Sequence, residues 1–320
     1  MTTIRVFKWM QRVGQGRYVR CAYWAGLVVT VLFGLYIRCH YKDWAFDRDI
    51  SCYAVAAHEM YHGAILYSEA WDHKPPAVHV LFLMAEVLWG YNNNSIFLLG
   101  SLFVVATAMG IYRAASVGPF GARAGMVSVI LYILISNNLD LNSQHPNVEV
   151  FMNASLVWVI ALAVNPVRGR PWLSATIGGL FLAFATLLKQ IALFPGLAVI
   201  FGAVLLLVPR KERRRGLKII ALQLCIVGIA WLLVGACFLK YLSLNDFIYA
   251  VVTYNRDHAG SIVHNIYSAC RYGETITSKF PFLYWPVIYT MLGGIVGIDV
   301  GKWRPWLLLI FYLAGVYIAV

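Results

Sequence analysis

Residues 172–218 read WLSATIGGLFLAFATLLKQIALFPGLAVIFGAVLLLVPRKERRRGLK. Two uncharged apolar runs, 172–188 and 190–208, are parted only by Lys189-Gln190, and a basic cluster from Arg210 to Lys218 with one acid, Glu212, follows them. A helix rises about 1.5 Å per residue, so each run is close to the length that crosses a hydrocarbon core of about 30 Å. The pair reads as a hairpin of two spans. The arginines mark its open end as cytoplasmic under the positive-inside rule, which puts Lys189-Gln190 outside.

Further apolar runs lie at 21–37, 76–91, 95–112, 122–138, 149–165, 218–239, 281–299 and 305–320. Of 320 residues, 61% are hydrophobic and only 12% charged, at a mean hydropathy of +0.70. A soluble domain has about 45–50% apolar and about 25% charged residues, so a water-facing surface cannot be built from this chain. The expected fold is all-α, a polytopic transmembrane helical bundle of about nine or ten spans with interfacial helices in the first outer loop. It forms one membrane domain over 1–320, with a cytoplasmic N-terminus (1–20) and outer loops at 38–75 and 240–280. The first run starts near Cys21 and has no small-residue cleavage site after it, so it reads as an uncleaved span. Cys21, Cys39, Cys52, Cys225, Cys237 and Cys270 form no CxxC pair, which leaves neither a zinc site nor a disulfide framework implied.

The net charge of +12 is a topology signal rather than a nucleic-acid footprint. In this layout 17 of the 26 Lys and Arg fall inside, while all eight His and 12 of the 14 Asp and Glu fall in outward-facing segments. Titratable groups gathered on one face point either to chemistry there or simply to long loops that hold more polar residues. The run 76–91 is the exception to the alternation. Its ends both lie outside, and its length of about 24 Å is short of the core thickness, so it reads as an interfacial or re-entrant helix. Counting it as a full span would invert everything after it.

The richest polar segment is FDRDISCYAVAAHEMYHGAILYSEAWDHKPP, Phe46 to Pro76. Ile50 to His62 reads as a short helix with Tyr53, Ala56, Ala57 and Met60 on one face. Asp49 at its start fits two readings, an ordinary N-cap or a carboxylate at the lipid–water boundary acting as general base toward a hydroxyl or amine. Trp71 before the Pro75-Pro76 pair suits an interface anchor and helix start. Lys74, a lone cation on the headgroup side of an apolar helix, is placed to hold a lipid phosphate. His58 and His62 have the spacing of two metal ligands on one helical face, but no HExxH pattern surrounds them. Glu86, inside an apolar run, is costly unless it faces water or a partner. Tyr254-Asn255-Arg256-Asp257-His258 forms a second polar cluster, read either as a sugar or phosphate contact or as a solvated loop.

The series Asp49, Tyr53, Gly63, Tyr67, Trp71-Asp72-His73-Lys74-Pro75-Pro76 resembles the first outer loop of the GT-C integral-membrane glycosyltransferases, in the branch related to protein O-mannosyltransferases and lipid A aminoarabinose transferases. The resemblance implies a sugar donor carried on polyprenyl phosphate and an active site on the outer face. It implies Asp49 as base, Glu149 in HPNVEVFM as the second acidic residue, and Lys74 with Lys189 at the donor phosphate. Tyr53, Tyr67, Trp71, Asp72, His73 and, from the second outer loop, Arg256 are the expected substrate contacts. A single displacement at the anomeric carbon predicts inversion. The other expected partners are membrane lipids, the location is the cell membrane, and nucleic acid is not a partner.

The chain departs from that pattern in three places. Ile50 stands where the family usually carries Glu, which leaves a single acid and weakens a divalent cation, the one cofactor to weigh; no metal ligands are assigned. No Arg lies between Arg48 and Arg113, so Lys74 or Lys189 is left to supply the positive charge. The chain is shorter than most relatives and ends in an apolar run, as expected of a truncated or reduced form. The alternative reading is a transporter or flippase of lipid-linked or small polar substrates; an inactive scaffold is a third.

Overall fold

The computed structural model describes residues 17–117, 121–137, 145–241 and 243–258. Over them the chain is an all-α polytopic bundle. Its helices are α1 (Arg17–Cys39), α2 (Arg48–Tyr61), α3 (Ala77–Trp89), α4 (Asn93–Ala115), α5 (Gly121–Ser136), α6 (Val148–Val164), α7 (Pro171–Leu188), α8 (Leu193–Leu207) and α9 (Arg213–Tyr241). The short α10 (Leu244–Ile248) and α11 (Tyr254–His258) follow, joined by a wide π-type turn at Tyr249–Thr253. The runs 281–299 and 305–320, Arg5, Lys8 and Arg12 of the N-terminus, and all of 259–280 lie outside the described residues.

Local chemistry sets the ends. Asn92 and Asn147 cap α4 and α6, their side chains accepting from Ser95 N–H at 3.1 Å and Val148 N–H at 2.6 Å. Pro171 opens α7, where a missing N–H costs nothing. Gly90, at φ +84°, closes α3 in a conformation that other residues avoid. The longest helix starts at Arg213, five residues before the apolar run it contains, because Arg and Lys are good helix formers and their charged ends reach water.

Among the described residues, five stretches are long and apolar enough to cross a membrane: Cys21–Cys39, Asn93–Ala115, Pro171–Leu188, Gln190–Leu207 and Arg210–Lys240. The apolar helices α3, α5 and α6 are shorter. Small residues let the helices approach closely. A Cβ on Gly179 would sit 3.2 Å from the Gln223 backbone, and one on Gly110 would sit 2.6 Å from the Val157 side chain. The outer faces of α1 and α9 remain apolar and exposed, with Leu32, Phe33, Leu232 and Leu233 turned away from the bundle, as lipid-facing residues must be.

Contacts between helix ends sort the described chain into two poles. At one, Arg113 at the end of α4 donates to Asn165 O after α6 at 2.6 Å, and Arg123 in α5 donates to the Tyr23 hydroxyl in α1 at 2.9 Å. At the other, Lys42 donates to Asn94 at 3.1 Å, Lys189 pairs with Glu149, and Gln190 donates to Val251 O at 2.6 Å. Both α2 and α3 belong to this second pole. Ile50, Tyr53, Ala54 and Ala57 of α2 pack on Val78, Phe82 and Ala85 of α3, over Ile96 and Leu99 of α4 and Phe151 of α6. The end of α3 returns to where α4 begins, and Ser95 Oγ donates to Gly90 O.

Candidate functional site

The cap of α2 is Asp47, not Asp49: its carboxylate accepts from Arg48 N–H at 2.7 Å. Of two aspartates two residues apart, the first lies outside the helix and reaches back to its open N–H groups. Asp49, in the first turn, is thereby free of a capping duty. Its partner is Arg48 at 3.3 Å, and its side chain is 33% exposed. Ile50 beside it is 1% exposed among Val78, Phe82 and Leu188, so the position next to Asp49 is part of the core.

After α2 the chain turns at Gly63, and Glu69 ties the loop by accepting from Ile65 N–H at 2.7 Å. Tyr67 takes a left-handed backbone (φ +75°), and its ring is buried against Phe238 and Phe247. Its hydroxyl donates to Lys74 O at 2.8 Å, which holds the following turn in place.

Asp72 is the hub of that turn. It is 5% exposed; one oxygen accepts from His73 N–H at 2.5 Å and Lys74 N–H at 3.4 Å, and the other accepts from His79 Nε2 at 2.9 Å. Burial by itself would raise its carboxyl. The hydrogen bonds from His73 and His79 outweigh burial and hold the carboxyl well below the ordinary range. The His73 ring lies 3.2 Å from Asp72 through Nδ1 and accepts from Lys74 Nζ at 2.9 Å through Nε2.

Lys74 is half-buried. Burial lowers its ammonium pKa and so does the charge of Lys189, while Asp49, Asp72 and Glu149 pull it up. Four charges therefore act on the Lys74 ammonium. Lys189 sits in an extended break between α7 and α8 and pairs with Glu149, at the start of α6, at 2.6 Å. Tyr53 lies among these groups with its side chain 1% exposed and its hydroxyl without a hydrogen-bond partner. Burial, then the charges of Asp49, Asp72 and Glu149, push its phenol well above the usual value, which keeps it a proton donor.

The segment 243–258 roofs the site. Asn255 donates to His73 O at 2.8 Å, and Ser68 bonds Asp246. Trp71 and His73 meet the Tyr254 ring at 5.0 and 5.5 Å. Arg256, by contrast, is exposed and paired with its neighbour Asp257 at 3.1 Å. The structure thus brings together Asp49, Tyr53, Asp72, His73, Lys74, Glu149 and Lys189. Tyr67 is buried next to them, Trp71 is half-exposed, and Arg256 is exposed and paired with Asp257.

His58 and His62 meet edge to face at 4.4 Å, but His58 binds Glu86 at 2.7 Å, which supplies the partner that Glu86 needs in its apolar helix. Among the described residues no three His, Cys, Asp or Glu converge as a metal-ligand set. One participant, His79, was not singled out by sequence reasoning, and a second, Asn255, was named only as part of a cluster. His79 is hidden inside an apolar run, and its signal is an Asp seven residues back across a Pro-Pro turn. Asn255 sat in a cluster that also read as a solvated loop.

The arrangement can place two cations on an anion and carboxylates beside it, at the pole where α6 starts and α7 ends. Residues 72–237 match the family model of dolichyl-phosphate-mannose-protein mannosyltransferase. No curated protein and no solved structure matches the chain. The match covers just over half of the chain and includes Asp72, Lys74, His79, Glu149 and Lys189. This integral-membrane helical protein, a glycosyltransferase of GT-C type, belongs to the dolichyl-phosphate-mannose-protein mannosyltransferase family.

Proposed function

We propose that the chain moves a sugar, with mannose the first to test, from a polyprenyl-phosphate donor to an acceptor hydroxyl or amine on the outer face of the cell membrane. The observation that carries this is the convergence of Lys74 and Lys189 with Asp49 and Glu149 at one pole. The opposite pole carries Arg113, Arg123, Arg168, Arg170 and Arg210 to Lys218, which supports a cytoplasmic placement for that pole and an outer one for the site.

The proposed reaction is one displacement. The acceptor oxygen or nitrogen bonds the anomeric carbon as the carbon–phosphate oxygen bond breaks, which inverts that carbon. The acceptor proton passes to Asp49, and the bond electrons leave on the phosphate. Negative charge grows on the phosphate as the bond lengthens, so cations fixed beside it favour the transition state over the bound donor. Lys74 is held for this by Asp72, His73 and Tyr67. Lys189 is held by its 2.6 Å pair with Glu149.

Asp49→Asn in purified protein tests the base. Loss of a positioned general base costs about 10² to 10⁴ in rate. Because Asp47 caps the helix, the variant is expected to melt like the wild type in detergent. Transfer of radiolabelled mannose from the polyprenyl-phosphate donor at an unchanged rate would overturn the assignment of Asp49. Uptake of labelled sugar into vesicles without covalent transfer would favour a transporter instead.

A further inference from the structure

We propose that His79, buried in the first turn of α3, is a positioning residue that sets the Lys74 ammonium through Asp72 and His73; the inference rests on Lys74 as the donor-phosphate contact. His79 is 0% exposed and surrounded by the rings of Tyr53 and Tyr67, at 5.9 and 6.3 Å between ring centres. An apolar side chain would fill that space without the cost of burying an imidazole. What the imidazole gains is the 2.9 Å bond from Nε2 to Asp72, since its Nδ1 has no hydrogen-bond partner.

That bond starts a chain in which each link fixes the next. A carboxylate only accepts, so Nε2 of His79 carries the proton. With one Asp72 oxygen held by His79, the other faces the His73 and Lys74 N–H groups and Nδ1 of His73. His73 then carries its proton on Nδ1, which leaves Nε2 as the acceptor for Lys74 Nζ at 2.9 Å. A cation with three rotatable donors on a flexible stem is poorly directed by nature. Here its direction is traced back through two side chains to a histidine that touches no substrate.

The test compares His79→Gln, whose amide nitrogen reaches the place of Nε2, with His79→Leu, which keeps bulk and loses the donor. Farnesyl phosphate, a short polyprenyl phosphate, is the probe, with affinity measured on full-length protein in detergent. The expected result is wild-type binding within a few-fold for H79Q and weakening by about 10- to 100-fold for H79L, the range for loss of a positioning contact. The Michaelis constant for the acceptor should not change in H79L, whereas a general loss of structure would alter both substrates.

Equal affinity of H79Q and H79L, whether both tight or both weak, overturns the proposal. If H79L fails to fold, H79N takes its place, because its shorter amide does not reach Asp72; H79N weak against H79Q tight supports the proposal, and equality overturns it. Lys74→Met separates this from the parent reading. Wild-type binding by K74M, or none by the wild type, removes the phosphate role of Lys74 itself. Loss of binding in K74M beside tight binding in H79L removes only His79.

Discussion

The two poles of this bundle use charge in opposite ways. At the arginine-rich pole the cations meet backbone carbonyls and a phenol: Arg113 on Asn165 O, Arg213 on Leu205 O at 3.5 Å, Arg123 on Tyr23. Glu212 is the single acid of the cluster that runs from Arg210 to Lys218. These contacts close helix ends and orient the chain, and they tolerate slack. At the site pole, acids and bases are interlocked. Asp72 holds two histidines and two backbone N–H groups, Lys189 holds Glu149, and Asn255 holds His73. Topology needs charge in the right compartment, whereas catalysis needs it in one place with one direction.

The contrast can be broken most severely at Asp72. Asp72→Ala leaves the His79 donor buried and unpartnered and unties the turn, a loss of about 3 kcal/mol of stability, as for other broken buried pairs. Because the folded carboxyl titrates below its ordinary value of about 3.9, its contribution is fully present above that value and is lost as pH falls through the depressed one. The gap in melting temperature between the wild type and D72A should stay flat from about pH 8 to about pH 5 and close only in stronger acid. A gap that closes near neutrality would contradict the hydrogen-bonded carboxylate.

At the other pole the effects are smaller. Arg113→Gln removes one charge-assisted bond to a helix end and is expected to cost about 1 to 2 kcal/mol, read in the same melts, with turnover per folded molecule unchanged. Smallest is Arg214→Gln. One charge less in a cluster leaves melting and turnover within error, a change of about 0.5 kcal/mol at most. An Arg214 variant with impaired turnover would erase the distinction between the poles.

The bundle was legible because membrane spans are long and uncharged, and helix ends followed the apolar runs at α4, α6 and α7. The start of α9 was not, since charge does not end a helix. The roof at 244–258 was read as a polar loop because Asn245, Asp246, Asn255 and Arg256 mask a narrow apolar face of Phe247, Ala250 and Val251. For the candidate site, spacing and resemblance named Asp49, Lys74, Glu149 and Lys189 as candidates, which the structure gathers at one pole. They did not tell which of Asp47 and Asp49 caps α2, nor which of Asn255 and Arg256 turns inward. Those choices depend on a difference of one or two residues in register, and side-chain chemistry alone is blind to it.

The length of α9 has a consequence for depth. Its 29 residues span about 43 Å, against a hydrocarbon core of about 30 Å. With Arg213 to Lys218 in one headgroup layer, the helix works as a ruler that sets Lys240 and the roof in the opposite layer. On the proposed function, a donor whose isoprenoid tail stays among the acyl chains meets Lys74 at the level of its own phosphate. Membranes a few ångströms thinner or thicker should shift that meeting point, making bilayer composition a control on turnover that acts through no side chain of the site.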